Sequence, residues 1–197
     1  MEITEEAAAP LGVVPVEGRG SLPFALVHGE SLVAAASWAL TTAGAELFDD
    51  GTSFDVVQGT GQMLVLHDPL CPLTPVGFIE AAIEESVRSG AVVVGVRPVT
   101  DTVKEYDAPT GPGSAAGGAG RLGATVDRDD LVCVTSPVVL PAAVVAALDH
   151  LATDDFAALV AELSGRFPAR HLPAPPAGRR IVDRADLEVL GALSAAG

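Results

Sequence analysis

The stretch from Thr74 to Val96 constrains the fold more than any other part of the chain. Thr74 or Pro75 opens a helix that runs to about Ser89, Gly90 follows it, and Ala91-Val-Val-Val-Gly-Val96 comes next. Glycine just past a helix is a common C-terminal stop, because it adopts the left-handed conformation without strain. A short, continuous, Val-rich run is the mark of a strand buried on both faces. A helix delivered straight into such a strand belongs to a sheet with helices packed on it.

The rest of the chain repeats this alternation. Leu11–Val16 reads as a buried strand closed by the turn Glu17-Gly-Arg-Gly20, and Ser31–Ala43 as an alanine-rich helix with Ser31 as N-cap. Phe54–Val57, Met63–Leu66, Ala124–Val126 and Leu131–Val134 are strand candidates. Helices are expected from Pro141 to about Leu151, from Asp154 to Arg166 and from Ala185 to Leu193. Pro168–Pro176 reads as a connector and Arg180–Val182 as a short strand. The Gly/Ala/Pro-rich residues 107–123 read as a flexible loop. The expected fold is a single α/β domain over residues 1–197, with a three-layer, mostly parallel twisted sheet.

The 197 residues suffice for a core without disulfide or metal staples. Two cysteines, Cys71 and Cys133, make no disulfide framework, and no Cys/His cluster suggests zinc. Charge is lopsided: 26 acidic residues against 11 basic ones give a net −15. Such a surface repels nucleic acid and anionic lipid, so neither is expected as a partner. No stretch reaches the ~20 apolar residues of a membrane span. The acidic start is unlike a signal peptide, and the expected compartment is the cytoplasm. Lys104 is the only lysine, so a phosphate pocket would have to be built mainly from arginine.

Ligands of open α/β sheets sit at the carboxyl ends of the strands, and three such ends carry polar residues. The first, Glu17-Gly-Arg-Gly-Ser21, is either a phosphate-cradling glycine loop or simply a turn. The second, His67-Asp68, offers either a carboxylate for Mg²⁺ or a cap for the helix that follows, with His67 as a hydrogen-bonded structural residue. The third, Val99-Thr-Asp-Thr-Val-Lys104, is either a phosphate-binding cluster or a polar strand end with its lysine in solvent.

Taken in order, these pieces resemble the cytidylyltransferases of the methylerythritol phosphate route to isoprenoid precursors. The resemblance rests on Val13–Ser21, His67-Asp-Pro-Leu-Cys-Pro72, Arg97–Lys104, Val126-Asp-Arg-Asp-Asp-Leu131, Val134-Thr-Ser-Pro137 and Arg180-Ile-Val…Asp186-Leu187. It implies Mg²⁺-dependent transfer of a nucleotidyl group from CTP to a sugar phosphate. Asp68 matches the aspartate that helps hold Mg²⁺ and the nucleotide. Gly18, Gly20 and Ser21 belong to the nucleotide loop, and Arg19 is its arginine. Arg180 stands at the catalytic lysine. Thr102 and Arg128 match residues that bind the sugar phosphate, with Lys104 beside them. Residues 97–131 match an arm that reaches a partner subunit, which implies a homodimer, with 107–123 as the arm's tip.

The departures are equally specific. Phe24 stands where the family has the loop lysine, Cys71 where it has an arginine, and Phe24 to Asp68 is several dozen residues shorter than in the family. Removing one donor to a developing oxyanion typically costs ~10²–10³ in rate. Three readings therefore stay open: a divergent, impaired nucleotidyltransferase, a catalytically inactive paralogue acting as a binding or regulatory homodimer, or a purely structural dimerisation protein.

Overall fold

The computed structural model describes residues 8–107 and 120–195. It divides into two compact units, one of residues 1–97 and 134–197, the other Pro98–Cys133.

In the first unit the strands and helices alternate along the chain. In order they are β1 (Leu11–Val13), β2 (Leu26–Val27), β3 (Glu30–Ser31), α1 (Leu32–Thr42), β4 (Glu46–Leu47), α2 (Phe54–Gly59), β5 (Leu64–Leu66), α3 (Val76–Ser89) and β6 (Val92–Pro98). The second unit holds β7 (Val103–Asp107) and β8 (Arg121–Val126). Then come β9 (Val132–Leu140), α4 (Ala142–Ala147), α5 (Phe156–Arg166), β10 (Ala169–Pro173) and α6 (Arg184–Ala195). A six-stranded sheet runs in the order β10-β6-β9-β5-β1-β4. β1 is parallel to β4 and to β5, β10 is parallel to β6, and β9 runs antiparallel to β5.

Both faces of the sheet are buried at β1, β5, most of β6 and the second half of β9, which is why those stretches are almost wholly apolar. Successive side chains of a strand point to opposite faces. Val92, Val94 and Val96 pack on one face with Val144 of α4 and with Phe156 and Leu163 of α5. Val93, Val65 and Val139 pack on the other with Ala36 and Leu40 of α1 and Ile79 of α3. Each fully buried Val or Leu contributes about 1.5–3 kcal/mol over an exposed one. The result is an α/β fold of three layers with a mixed, mostly parallel central sheet.

Local chemistry explains the helix ends. Ser31 accepts from the Ala34 amide at the start of α1, Asp155 accepts from Ala157 and Ala158 at the start of α5, and Gly90 ends α3 with φ +65°. Close approach fixes another glycine. A Cβ at Gly95 of β6 would lie 2.6 Å from the Ser136 carbonyl oxygen of β9.

Several sequence expectations are corrected. Phe54–Val57 is not a strand but the first turn of α2, with Phe54 and Val57 packing inward at helical spacing and Val56 exposed. The proline-rich connector contains β10, an edge strand. Its prolines lie at the ends, Pro168 before it and Pro173 last, so the residues between keep their amides for pairing with β6. Arg180–Val182 forms no strand. Its one ladder-like contact is the Ile181 amide donating to the Leu70 carbonyl at 2.8 Å. The helix after Pro141 stops at Ala147, because Leu148 is extended.

The second unit is a two-stranded antiparallel ribbon, with Val103 opposite Val126, Lys104 opposite Thr125 and Tyr106 opposite Leu122. Asp107 and 121–123 therefore belong to strands rather than to a loop, and residues 108–119 of the expected tip lie outside the described residues. A short 3-10 turn, Arg128–Asp130, follows, capped by the Asp127 carboxylate accepting from the Asp129 amide.

Candidate functional site

Strands β1 and β5 lie side by side, with Val13 opposite Leu66. Their carboxyl ends therefore release the chain at one place: the glycine loop leaves β1, and His67-Asp68 leaves β5. The His67 amide donates to the Val13 carbonyl at 2.9 Å, which carries the pairing one residue further.

The loop turns on Gly18 and Gly20, with φ of +74° and +59°. A Cβ on Gly18 would also lie 2.9 Å from Asp154, so both strain and space require glycine there. Between them Arg19 is turned inward. Its Nε donates to Asp68 Oδ1 at 2.8 Å, an outer nitrogen donates to the Glu17 carbonyl at 2.7 Å, and its guanidinium lies 5.1 Å from the Phe156 ring centre. Ser21 precedes a one-turn 3-10 helix without capping it through its side chain.

Asp68 is the centre of the site. Its Oδ1 also accepts from the Leu70 amide at 3.0 Å, and its Oδ2 accepts from Arg180 Nε at 2.9 Å. The side chains of Arg19 and Asp68 are 1% and 2% exposed, whereas that of Arg180 is 38% exposed. One carboxylate thus bridges a buried and a half-exposed guanidinium. Arg180 is placed by its surroundings: Asp186 pairs with Arg179 and accepts from the Val182 amide, and Ile181 is buried.

His67 is fully buried. Its Nδ1 contacts Ser136 Oγ, which also accepts from the Asp68 amide at 3.0 Å, while Nε2 has no hydrogen-bond partner. Burial pushes its pKa down to about 4, against the opposing pull of Asp68. The ring is neutral at ordinary pH and serves structure. Cys71, where the resembled family carries an arginine, is also fully buried, and burial pushes its thiol far up, so it supplies no charge. Phe24, at the position of the loop lysine, is exposed.

Asp68 does not fit a metal ligand as it stands. Both its oxygens are engaged by guanidinium groups, and among the described residues no cluster of three acidic, His or Cys side chains offers an alternative.

Thr102 and Arg128 line a second pocket, of about 390 Å³, in the ribbon unit. Asp101 and Asp127 line it too, so the pocket holds two acidic residues and one arginine. Arg128 donates to the Thr100 carbonyl at 3.0 Å. Lys104 is not among the lining residues, and its Nζ donates to Thr125 Oγ1 at 3.0 Å.

The structure thus joins Arg19, Asp68 and Arg180 in one network and places Thr102 and Arg128 in another pocket. Sequence reasoning missed Ser136 and Phe156. A hydroxyl at the start of the apolar half of β9, in Thr135-Ser-Pro137, was the available signal for the first. Nothing in the sequence singles out Phe156 from other core aromatics.

No protein-family profile matches the chain. Among curated proteins it is 28% identical to the 2-C-methyl-D-erythritol 4-phosphate cytidylyltransferase of Rhodococcus jostii, covering 87% of this chain and 72% of that protein. It is 33% identical to the enzyme of the same name from Frankia casuarinae, covering 68% of this chain and 47% of the relative. It is 40% identical over 115 residues to the bifunctional IspD/IspF enzyme of Clavibacter michiganensis, covering 55% of this chain and 25% of that protein. The chain thus spans from a quarter to under three quarters of the length of these relatives. In fold it resembles the crystal structure of the 2-C-methyl-D-erythritol 4-phosphate cytidylyltransferase of Thermus thermophilus, with TM-score 0.65, 21% identity and coverage of 95% of this chain and 100% of that one. A CMP:2-keto-3-deoxy-manno-octonic acid synthetase complexed with CTP is similar in fold, with TM-score 0.58 and 11% identity, over 96% of this chain and 99% of that one. No described helix is long and apolar enough to cross a membrane. By these comparisons the chain is similar in sequence to 2-C-methyl-D-erythritol 4-phosphate cytidylyltransferases and shares the fold of the solved enzymes of that name.

Proposed function

We propose that the chain is a cytidylyltransferase-like protein of the methylerythritol phosphate route whose nucleotidyl transfer is slow or absent. The observation that carries this reading is the meeting of Arg19, Asp68 and Arg180 beyond the ends of β1 and β5, three positions that the family match ties to the nucleotide.

In the reaction, an oxygen of the sugar phosphate attacks the α-phosphorus of CTP. A new P–O bond forms and the bond to pyrophosphate breaks, with negative charge growing on the equatorial and leaving oxygens. Fixed positive charge is the main source of rate in such steps. Arg19 and Arg180 are the cations this chain offers, and both spend a donor on Asp68. Phe24 and Cys71 add none. When bound, Mg²⁺ would supply further positive charge, but Asp68 does not fit it, so no step is derived through it. In the ribbon unit, Thr102 and Arg128, with Lys104 on the neighbouring strand, are proposed to take the sugar phosphate.

The test is a coupled pyrophosphate-release assay with CTP, Mg²⁺ and methylerythritol phosphate. Turnover close to the background is expected, and ordinary enzyme turnover would overturn the reading. The engagement of both arginines by Asp68 favours a second reading, an inactive paralogue that binds rather than transfers, acting as a homodimer. Calorimetric titration with CTP separates the two, because a binding module shows heat without pyrophosphate release.

A further inference from the structure

Helix α6 carries two opposite charges, Arg184 and Glu188, on the wall of one cavity. We propose that they are the two polar ends of a binding site for an aromatic α-amino acid, Arg184 taking its carboxylate, Glu188 its ammonium group and Phe24 its ring. The site is the cavity of about 700 Å³ between α6 and the β2–β3 hairpin. It shares no residue with the Arg19–Asp68–Arg180 network or with the ribbon pocket, and the proposal does not depend on nucleotidyl transfer.

Arg184 and Glu188 stand one helical turn apart and both are exposed. Residues at this spacing are neighbours, with about 5–6 Å between their Cβ atoms. Glu162 and Arg166 on α5 have the same spacing and pair at 3.2 Å. Among the described residues, Arg184 and Glu188 form no ion pair, with each other or elsewhere. The order of their charges along the helix, cation first, is the poorer one for pairing. Both charges are therefore left for a ligand.

The opposite wall is apolar and set by the backbone. Phe24 ends the 3-10 turn after the glycine loop, its amide donating to the Ser21 carbonyl at 3.2 Å, and its ring is left 59% exposed. Leu26, 64% exposed, stands on β2 opposite Ser31 of β3. The hairpin reverses through His28 and Gly29, with φ of +52° and +87°. Two residues of positive φ give the tight turn whose twist matches that of paired strands. Val27 and Leu187 line the cavity from the apolar cluster beneath α6. Apolar and aromatic walls with a few placed charges are the make-up of a small-molecule site.

An aromatic α-amino acid answers each part. Its carboxylate suits a forked guanidinium and its ammonium group suits a carboxylate. Its ring gains more on a phenyl ring than buried area alone supplies. A bare anion would be opposed by Glu188, and a bare cation by Arg184. The zwitterion has no net charge, so the field of a chain of net charge −15 does not repel it as it repels a phosphate.

The probe is L-phenylalanine, titrated into the full chain and followed by NMR. Saturable shifts are expected at the amides of Leu26 and Leu187 and at Arg184 Nε–H. Calorimetry should find two analogues each about ten-fold weaker or more: N-acetyl-L-phenylalanine, which lacks the ammonium charge, and L-phenylalanine amide, which lacks the carboxylate. Arg184→Ala should bind L-phenylalanine and its amide equally. Glu188→Gln should bind L-phenylalanine and its N-acetyl form equally, and Phe24→Ala should weaken all three. The proposal is overturned if no saturable shift appears at these residues or if the unmodified chain binds the three probes equally. It is overturned too if either charge variant keeps the discrimination that its lost charge supplies. Comparing the three probes needs no variant, so the test stands if a variant does not fold. CTP, Mg²⁺ and methylerythritol phosphate are absent, so a chain without cytidylyl transfer can pass, and one that turns CTP over can fail.

Discussion

Arg19 and Asp68, separated by 49 residues in sequence, meet through Nε and Oδ1 at 2.8 Å with almost no solvent on either side chain. Breaking a buried pair leaves an uncompensated charge, which typically costs about 3–5 kcal/mol. Arg19→Ala should therefore lose about that much in urea unfolding. Arg180→Ala removes the half-exposed partner of the same carboxylate and should cost about 1 kcal/mol or less. Equal losses would mean that solvent screens Arg180 less than its exposure implies.

His67 should make stability depend on pH. Its pKa is lowered from 6.5 to about 4 in the folded chain, so the unfolded chain binds the proton first. The contribution is therefore present above pH 6.5 and is lost as pH falls toward 4, with a slope of at most ~1.4 kcal/mol per unit. Urea midpoints measured from pH 7 to 4 should fall, and His67→Gln should flatten that part of the profile.

The ribbon pocket should bind a phosphate through Arg128 and Thr102. Titration with methylerythritol phosphate, followed by NMR, should shift both residues, and Arg128→Ala should abolish the response while Arg121→Ala leaves it intact. Asp101 and Asp127 oppose an anion there, and added salt should screen that repulsion as well as the attraction of Arg128. Shifts that bypass Arg128 would leave it with its Thr100 contact alone.

A homodimer through residues 97–131 is also expected. In the ribbon, Tyr106 and Leu122 are paired and both largely exposed, at 59% and 67%. Light scattering at micromolar concentration should give twice the chain mass, and Tyr106→Glu with Leu122→Glu should shift it toward the single chain. An unchanged mass in the double variant would place the contact elsewhere.

The sheet was legible where periodicity and breakers agreed, as in the helix, Gly90 and the Val-rich strand of residues 74–96. It was not legible at Phe54–Val57, where four residues fit a strand or one helical turn equally well, and the tertiary contacts of Val57 decided. At Ala169–Pro173 the proline count misled, because prolines at the ends of an edge strand leave its pairing intact. In the site, motif spacing marked Arg19, Asp68 and Arg180 but not their mutual engagement. That depends on side-chain direction, and spacing along the chain carries no such information. The burial of His67 and its contact with Ser136 likewise arise only when β5 and β9 pair.

The second partner of Asp68 lies 112 residues downstream of it. During synthesis, β1 and β5 leave the ribosome long before Arg180 does. Until then Asp68 has one arginine, and the cluster that α6 forms with Val27, Leu32 and Leu70 is missing its Leu190 and Ile181. The carboxylate's seat is thus finished late, by a segment that also covers apolar surface. A nascent chain stalled before Arg180 would present an open-sided Asp68 beside uncovered leucines, a form that chaperones and proteases can tell from the completed protein.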